Sequence, residues 1–250
     1  MKKNILVTGS AGFIGFHVCN LLLENKYNVF GIDNNNHNYD YNLKKKRTNI
    51  LKKHKNFYFF KIDLSNKKKL NNFFKKKKFQ TIIHLAAQPG VRLSFSNREI
   101  YFKNNIQVFF NMMEICIKKK IKNFIYASSS SVYGDTNKFP NNELDRTDDQ
   151  VSFYAATKKC NEIIASSYSK MTNTKFIGLR FFTVYGPFGR PDMALYKFTK
   201  NIFKKKKINI YNRGNHFRDF TYIEDVSNLI LKLISKNLKK SNNHEIFNIC

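Results

Sequence analysis

Tryptophan is absent from this chain, and acidic residues are scarce: 17 Asp and Glu stand against 45 Lys and Arg, a formal net charge of +28. No apolar run approaches the ~20 residues a membrane-spanning helix needs. The first strand-like run opens at residue 4, with no secretory apolar region before it. Cysteine is limited to Cys19, Cys116, Cys160 and Cys250, with no C-x-x-C and no histidine at metal spacing. These shortages argue against a membrane span, a disulfide-framed secreted module and a cysteine metal site. A cytoplasmic protein with core thiols and no bound metal is expected. Apolar residues make up 42% of the chain, which argues against wholesale disorder.

So basic a chain invites a polyanionic partner. The runs, however, are scattered: "KKKR" at 44–47, "KKK" at 67–69, "KKKK" at 75–78, "KKK" at 118–120 and "KKKK" at 204–207. They fall at expected helix ends and loops, and Asn, Ile and Phe are abundant as well. This reads as compositional drift, not a binding face. Dedicated nucleic-acid binding is not expected, whereas salt-sensitive adhesion to polyanions and attraction of an anionic substrate are.

"NILVTG" (4–9), "YNVFGID" (27–33), "FYFFKID" (57–63), "TIIHLAA" (81–87), "NFIYASS" (123–129) and "KFIGLRF" (175–181) predict strands. They are continuously apolar, as parallel strands covered on both faces are. Helix-length segments at 13–25, 43–54, 66–75, 98–119 and 153–170 alternate with them. The alternation predicts an α/β fold with a doubly wound parallel Rossmann sheet. After about residue 185 the pattern changes. A turn-rich "GPFGRPD" precedes a helix near 193–203, short strands near 208–211 and 217–222, a helix near 224–236 and a last strand in "EIFNIC". Residues 1–185 are expected to form the cofactor domain. Residues 186–250 form a smaller C-terminal substrate lobe, with 224–250 returning to the first domain.

Gly9, Gly12 and Gly15 lie between the first strand and the first helix in a G-x-x-G-x-x-G spacing. Glycine is needed there for a tight turn, for close approach to a pyrophosphate and for packing of helix on strand. The helix N-terminus offers N–H donors and a positive dipole end to the phosphates. Asp33 ends the second strand, where a carboxylate accepts from a ribose diol and repels a 2′-phosphate, so NAD is expected over NADP. Asp63, ending the third strand, is a weaker candidate for the adenine edge. Tyr154 and Lys158 stand four apart on an expected helix, hence on one face. Either they are a chance pair on a solvated surface, or the ammonium pulls the phenol pKa down from about 10.

Together, "VTGSAGFIGFH" (7–17), "YASSSSVYG" (126–134) and "SFYAATKKC" (152–160) resemble the extended short-chain dehydrogenase/reductase family of nucleotide-sugar enzymes. The resemblance implies a catalytic Ser129, Tyr154 and Lys158 over tightly held NAD. It extends the cofactor site to Phe13, Ile14, Leu64, Leu85, Ala86, Ala87, Asn105 and Phe181. The stretches "HLAAQPGVRLSFSN" (84–97), "GLRFFTVYGPFGRPDMALYKFTK" (178–200) and "RDFTYIEDV" (218–226) are similar to members that invert carbon 4 of a UDP-hexuronate. That implies conversion of UDP-glucuronate to UDP-galacturonate by oxidation, rotation and reduction. Arg92 and Arg190 would then meet the sugar carboxylate, which suits a guanidinium fork. Ser130, Ser131 and Thr183 would line the sugar pocket and Arg218 would bind the pyrophosphate. Tyr211 would flank uracil, with a packing role an equal alternative. Ser130 and Ser131 stand where dehydratase and decarboxylase relatives carry acids, which argues against those reactions. A neutral UDP-hexose epimerase and a non-catalytic NAD-fold or polyanion binder stay open. Val108 departs from a glycine of the family, and Phe188 from a tryptophan. The resemblance also implies further elements after "EIFNIC", so the lobe is expected to be truncated. Dimerisation is expected through a helix bundle of segments 98–119 and 153–170.

Overall fold

Six continuous apolar runs become six of the seven strands of a sheet that helices cover on both sides. The computed structural model describes residues 3–36, 40–75, 77–215, 217–235 and 243–250. In chain order the elements are β1 (Asn4–Thr8), α1 (Phe13–Glu24), β2 (Asn28–Asp33), α2 (Tyr41–Leu51), β3 (Phe57–Lys61), α3 (Lys67–Lys75) and β4 (Thr81–His84). Then come α4 (Arg98–Tyr101), a π-helical turn (Phe102–Gln107), α5 (Val108–Lys119), β5 (Asn123–Ser129), α6 (Phe153–Met171) and β6 (Lys175–Phe181). β7 (Thr183–Tyr185), α7 (Ala194–Phe203), β8 (Phe220–Tyr222), α8 (Ile223–Ser235) and β9 (His244–Ile249) complete the order.

The sheet runs β3-β2-β1-β4-β5-β6-β9 with seven strands, each pair parallel. Strand order reverses beside β1, which pairs with β2 on one side and β4 on the other. A crevice opens there at the carboxyl ends, the usual ligand position of such sheets. Strand alternation divides the core. Ile5 and Val7 point with Ile83, Ile125 and Ile177 toward α1 residues Phe16, Val18 and Leu22 and α8 residues Val226 and Ile230. Leu6, Ile82, Phe124 and Phe176 point the other way, onto Phe73 and Phe74 of α3 and Phe109, Met112 and Met113 of α5.

Two expectations change. The 98–119 helix is broken by the π turn at 102–107, which adds a residue to one turn. The strand expected near 208–211 is absent: 206–210 is irregular and a 3₁₀ turn follows at Tyr211–Gly214. The strand that pairs with β8 is instead β7, directly after β6. "INIYN" alternates like a strand but pairs with no strand among the described residues. Among the described residues, no helix is long and apolar enough to cross a membrane.

Phe124 is fully buried, ringed by His84, Phe109, Tyr126 and Phe176. Phe124→Ala should lower stability by about 3–5 kcal/mol in denaturant titration. A loss below ~1 kcal/mol would mean this face is not the packed layer described.

Candidate active site

The glycine loop is forced by contact. Gly9 has φ +72°, and a Cβ there would sit 2.8 Å from the Ala86 nitrogen. A Cβ on Gly15 would lie 2.1 Å from the Gly9 carbonyl oxygen, so only glycine lets α1 start against the turn. Gly12, the N-cap of α1, has no side chain to bond the first-turn amides, which are left for an anion. Asp33 is buried and closes the neighbouring turns, accepting from the amides of Ala11 (3.2 Å) and Asn35 (2.8 Å). Asp63 accepts from the amide (2.9 Å) and hydroxyl (2.7 Å) of Ser65.

Across the crevice, Ser152 caps α6 by accepting from the Ala155 amide at 3.1 Å. The cap sets Tyr154 in the first helical turn, at the positive dipole end, and Lys158 one turn on. Lys158 is buried, donates to the Ala127 carbonyl of β5 at 2.9 Å, and lies 5.9 Å from the Tyr154 ring. Burial lowers its pKa to about 8, with Glu162 pulling the other way. Burial pushes the Tyr154 phenol above its ordinary value; a hydrogen bond with Ser129 and the charge of Arg190 oppose that. The sequence points to Lys158 as the charge acting on the phenol; in the structure that effect comes from Arg190, while the Lys158 ammonium is turned onto the Ala127 carbonyl. Tyr101 stands edge-on to Tyr154 at 6.1 Å and donates to the Pro89 carbonyl at 2.9 Å.

One cleft gathers most of the expected residues: Gly9, Gly12, Phe13, Ile14, Gly15, Asp33, Asp63, Leu64, Leu85, Ala86, Ala87, Ser129, Tyr154, Lys158, Phe181 and Arg190 all line it. Others fall outside its lining. Asn105 lies buried behind the wall; its amide accepts from the Gln88 N–H (2.7 Å) and donates to the Gln88 carbonyl (3.1 Å) and to Thr157 (3.0 Å). It braces the site rather than facing it, and its neighbour Asn104 faces the cleft. Arg92 is exposed on a 3₁₀ turn, and Arg218 is exposed and donates to the Phe217 carbonyl. Ser130 and Ser131 sit on the 3₁₀ turn after β5, and Thr183 stands between cleft residues Phe182 and Val184. The Tyr211 side chain lies outside the described residues.

Sequence reasoning missed Lys44, which lines the cleft beside Asp33 and donates to Asn36 Oδ1 at 2.5 Å. It also missed Arg47, fully buried, which donates to the Ala11 carbonyl of the glycine loop at 3.0 Å. The signal was present: Lys44, Arg47, Thr48 and Leu51 are the buried stripe of α2, at helical spacing. Glu162 and Arg180 were missed too. They form a buried two-bond pair at 3.0 Å each, and Glu162 also accepts from Ser128 at 2.6 Å.

Residues 5–250 match the model of the NAD dependent epimerase/dehydratase family. The chain belongs to that family. It is 50% identical over 249 residues to the uncharacterized protein MJ1055 of Methanocaldococcus jannaschii, covering 99% of this chain and 75% of that one. It is 45% identical over 226 residues to UDP-glucuronate 4-epimerase 4 of Arabidopsis thaliana, covering 89% of this chain and 52% of the relative. The crystal structure of UDP-glucuronic acid 4-epimerase from Bacillus cereus, in complex with UDP-glucuronic acid and NAD, superposes with a TM-score of 0.88. That match is at 36% identity and covers 98% of this chain and 77% of that one.

The cleft of this epimerase/dehydratase chain fits NAD. Side chains at Gly9, Gly12 and Gly15 would strike the backbone of the turn and of the segment after β4, so only glycine keeps the cradle in shape, and a buried carboxylate stands at the end of β2, where a ribose diol would bind. Among the described residues, no cluster of His, Cys, Asp and Glu could hold a metal ion. Gly15→Ala puts a methyl into the Gly9 carbonyl, so the purified variant should lose most of its bound-NAD absorbance. Wild-type NAD content in that variant would show the loop is not the phosphate site.

Proposed function

We propose that the chain epimerises carbon 4 of a UDP-hexuronate, interconverting UDP-glucuronate and UDP-galacturonate. One observation carries this reading: Arg190 lines the same cleft as Ser129, Tyr154 and Lys158, near enough for its charge to act on the phenol. A guanidinium beside the reacting centre suits a substrate with a carboxylate on the next carbon.

NAD, when bound, supplies the hydride acceptor and donor and adds positive charge beside the phenol. Tyr154 takes the proton of the 4-hydroxyl and later returns it. Burial works against its ionisation; the Ser129 bond and the charge of Arg190 work for it, and the α6 dipole acts in the same direction. Ser129 donates to the reacting oxygen. The sugar, oxidised to a 4-ketone, turns about its diphosphate link and is reduced on the other face. A 4-keto uronate is a β-keto acid and loses carbon dioxide when the breaking bond overlaps the carbonyl. Arg190 holds the carboxylate near the ring plane and suppresses that overlap. Of the two arginines expected at the carboxylate, Arg190 is the one that lines the cleft.

A neutral UDP-hexose is the second reading, because Arg190 is already paired with Asp192. Proton NMR of the protein incubated with UDP-glucuronate decides between them by the galacturonate anomeric signal. Tyr154→Phe should slow that conversion by about 10²–10⁴-fold. Conversion at the wild-type rate would remove Tyr154 from the mechanism.

We assign residues 1–185 to the cofactor and 186–250 to the substrate lobe, with 224–250 returning to the first domain. The pairing of β9 with β6 and the packing of α8 on α1 support that return. A cytoplasmic setting goes with this reading, and the free cysteines Cys19, Cys116, Cys160 and Cys250 support it. The bundle of α5 and α6 is proposed as a dimer surface. Phe102, Phe110 and Ile117 on one segment and Ile163 on the other are 54%, 40%, 39% and 59% exposed. Phe110→Glu should convert the dimer to monomer in light scattering; a wild-type monomer would remove the proposal.

A further inference from the structure

The loop carrying Arg190 is gripped at three consecutive carbonyls by side chains of the cofactor domain. His17 Nε2 donates to the Pro187 carbonyl at 2.8 Å, and Arg47 Nη2 to the Phe188 carbonyl at 2.5 Å and the Gly189 carbonyl at 3.4 Å. The Arg47 Nη1 meanwhile donates to Ala11 in the glycine loop at 3.0 Å. Phe188 is held in the left-handed region, φ +55°, with its ring 5.2 Å from Phe16. The Met193 amide closes the next turn on the Arg190 carbonyl at 3.3 Å, with Pro191 at the turn's second position. The backbone beneath Arg190 is therefore fixed, and what freedom remains is in its side chain.

That side chain is engaged by its own loop. Arg190 Nε donates to Asp192 Oδ1 at 3.1 Å and Nη2 to Oδ2 at 2.5 Å, the two-bond geometry a sugar carboxylate would also adopt. The Asp192 side chain is 44% exposed and the Arg190 side chain 22%. Asp192 can return to water at little cost, whereas Arg190, facing the cleft, would be left there uncompensated. We propose that Asp192 is a specificity-determining residue that competes with the sugar carboxylate for the Arg190 guanidinium. A uronate enters by exchanging one carboxylate for another on an anchored loop. A neutral hexose leaves the pair intact and meets a compensated guanidinium instead of a bare cation. This deepens the uronate reading and rests on it.

The test is calorimetric titration of the NAD-loaded protein with UDP-glucuronate and with UDP-glucose. It uses wild type, Asp192→Asn, Arg190→Ala and the double variant. Asp192→Asn should lower the dissociation constant for UDP-glucuronate by about two- to fivefold, the range for releasing a partly exposed ion pair. UDP-glucose should bind no tighter. In the Arg190→Ala background the gain should vanish. An unchanged or weaker affinity of Asp192→Asn for UDP-glucuronate overturns the exchange. So does a gain that persists without Arg190, which would be simple removal of a repelling charge, and so does a wild type that binds neither sugar. Turnover separates this from the parent reading. A chain that converts UDP-glucose but not UDP-glucuronate removes both. One that converts UDP-glucuronate while Asp192→Asn weakens its binding removes the exchange alone.

Discussion

The buried pair of Glu162 with Arg180 fixes where the reactive helix sits. Both side chains are 3% exposed. Such a pair is costly to desolvate unless its remaining polar atoms are satisfied. Here Glu162 also accepts from Ser128, and Arg180 donates to Tyr133 at 2.9 Å, which donates in turn to Asn248 of β9 at 2.7 Å. β5, β6, β9 and α6 are thus tied at one point beneath the crevice. Glu162 lies one helical turn beyond Lys158 and two beyond Tyr154, so the reactive groups inherit their position from it. Ser128 precedes Ser129, so the same anchor sets the end of β5. The chemistry needs sub-ångström placement, and this network provides it away from solvent.

Much of the fold was legible because parallel strands buried on both faces read as unbroken apolar runs. The near wall of the cleft was legible for a different reason: glycine, Tyr and Lys stood at spacings that contact and helix geometry demand. Lys44 and Arg47 stayed hidden inside four consecutive cations. Composition suggested a solvated run, while helical spacing turns two of the four inward. The π turn was illegible because its extra residue leaves local propensity unchanged. Arg92 and Arg218 were carried over by resemblance, and neither falls on the cleft lining. Arg218 belongs to the small lobe, whose disposition strand and helix patterns do not encode, and Arg92 sits on the 3₁₀ turn after β4, which they do not encode either.

An extreme lysine content also takes structural form. Lys77 lies over Phe30, Phe60 and Phe73 at 5.2, 4.9 and 5.9 Å, Lys52 over Phe59, Lys67 over Phe110, and Lys46 over Phe188. In each case the ammonium group sits over an aromatic face, where the ring quadrupole attracts a cation. A chain with 25 Phe and no Trp thus covers some of its outer rings with lysine, while others, Phe139, Phe203 and Phe217 among them, stay exposed. The composition that suggested a nucleic-acid partner serves in part as a coat for aromatic outer layers.

Asn105 has a consequence of its own. β4 ends at His84, and two-way bonding by the Asn105 side chain replaces a strand neighbour at Gln88. A carboxamide carries the same donor and acceptor as a peptide unit, so this one side chain imitates a single residue of a missing strand. Its third bond ends on Thr157, between the two reactive residues of α6. The crevice wall is therefore stitched to the opposing helix by a solitary surrogate peptide. A tremor on either side of the crevice would be transmitted to the other through that splint.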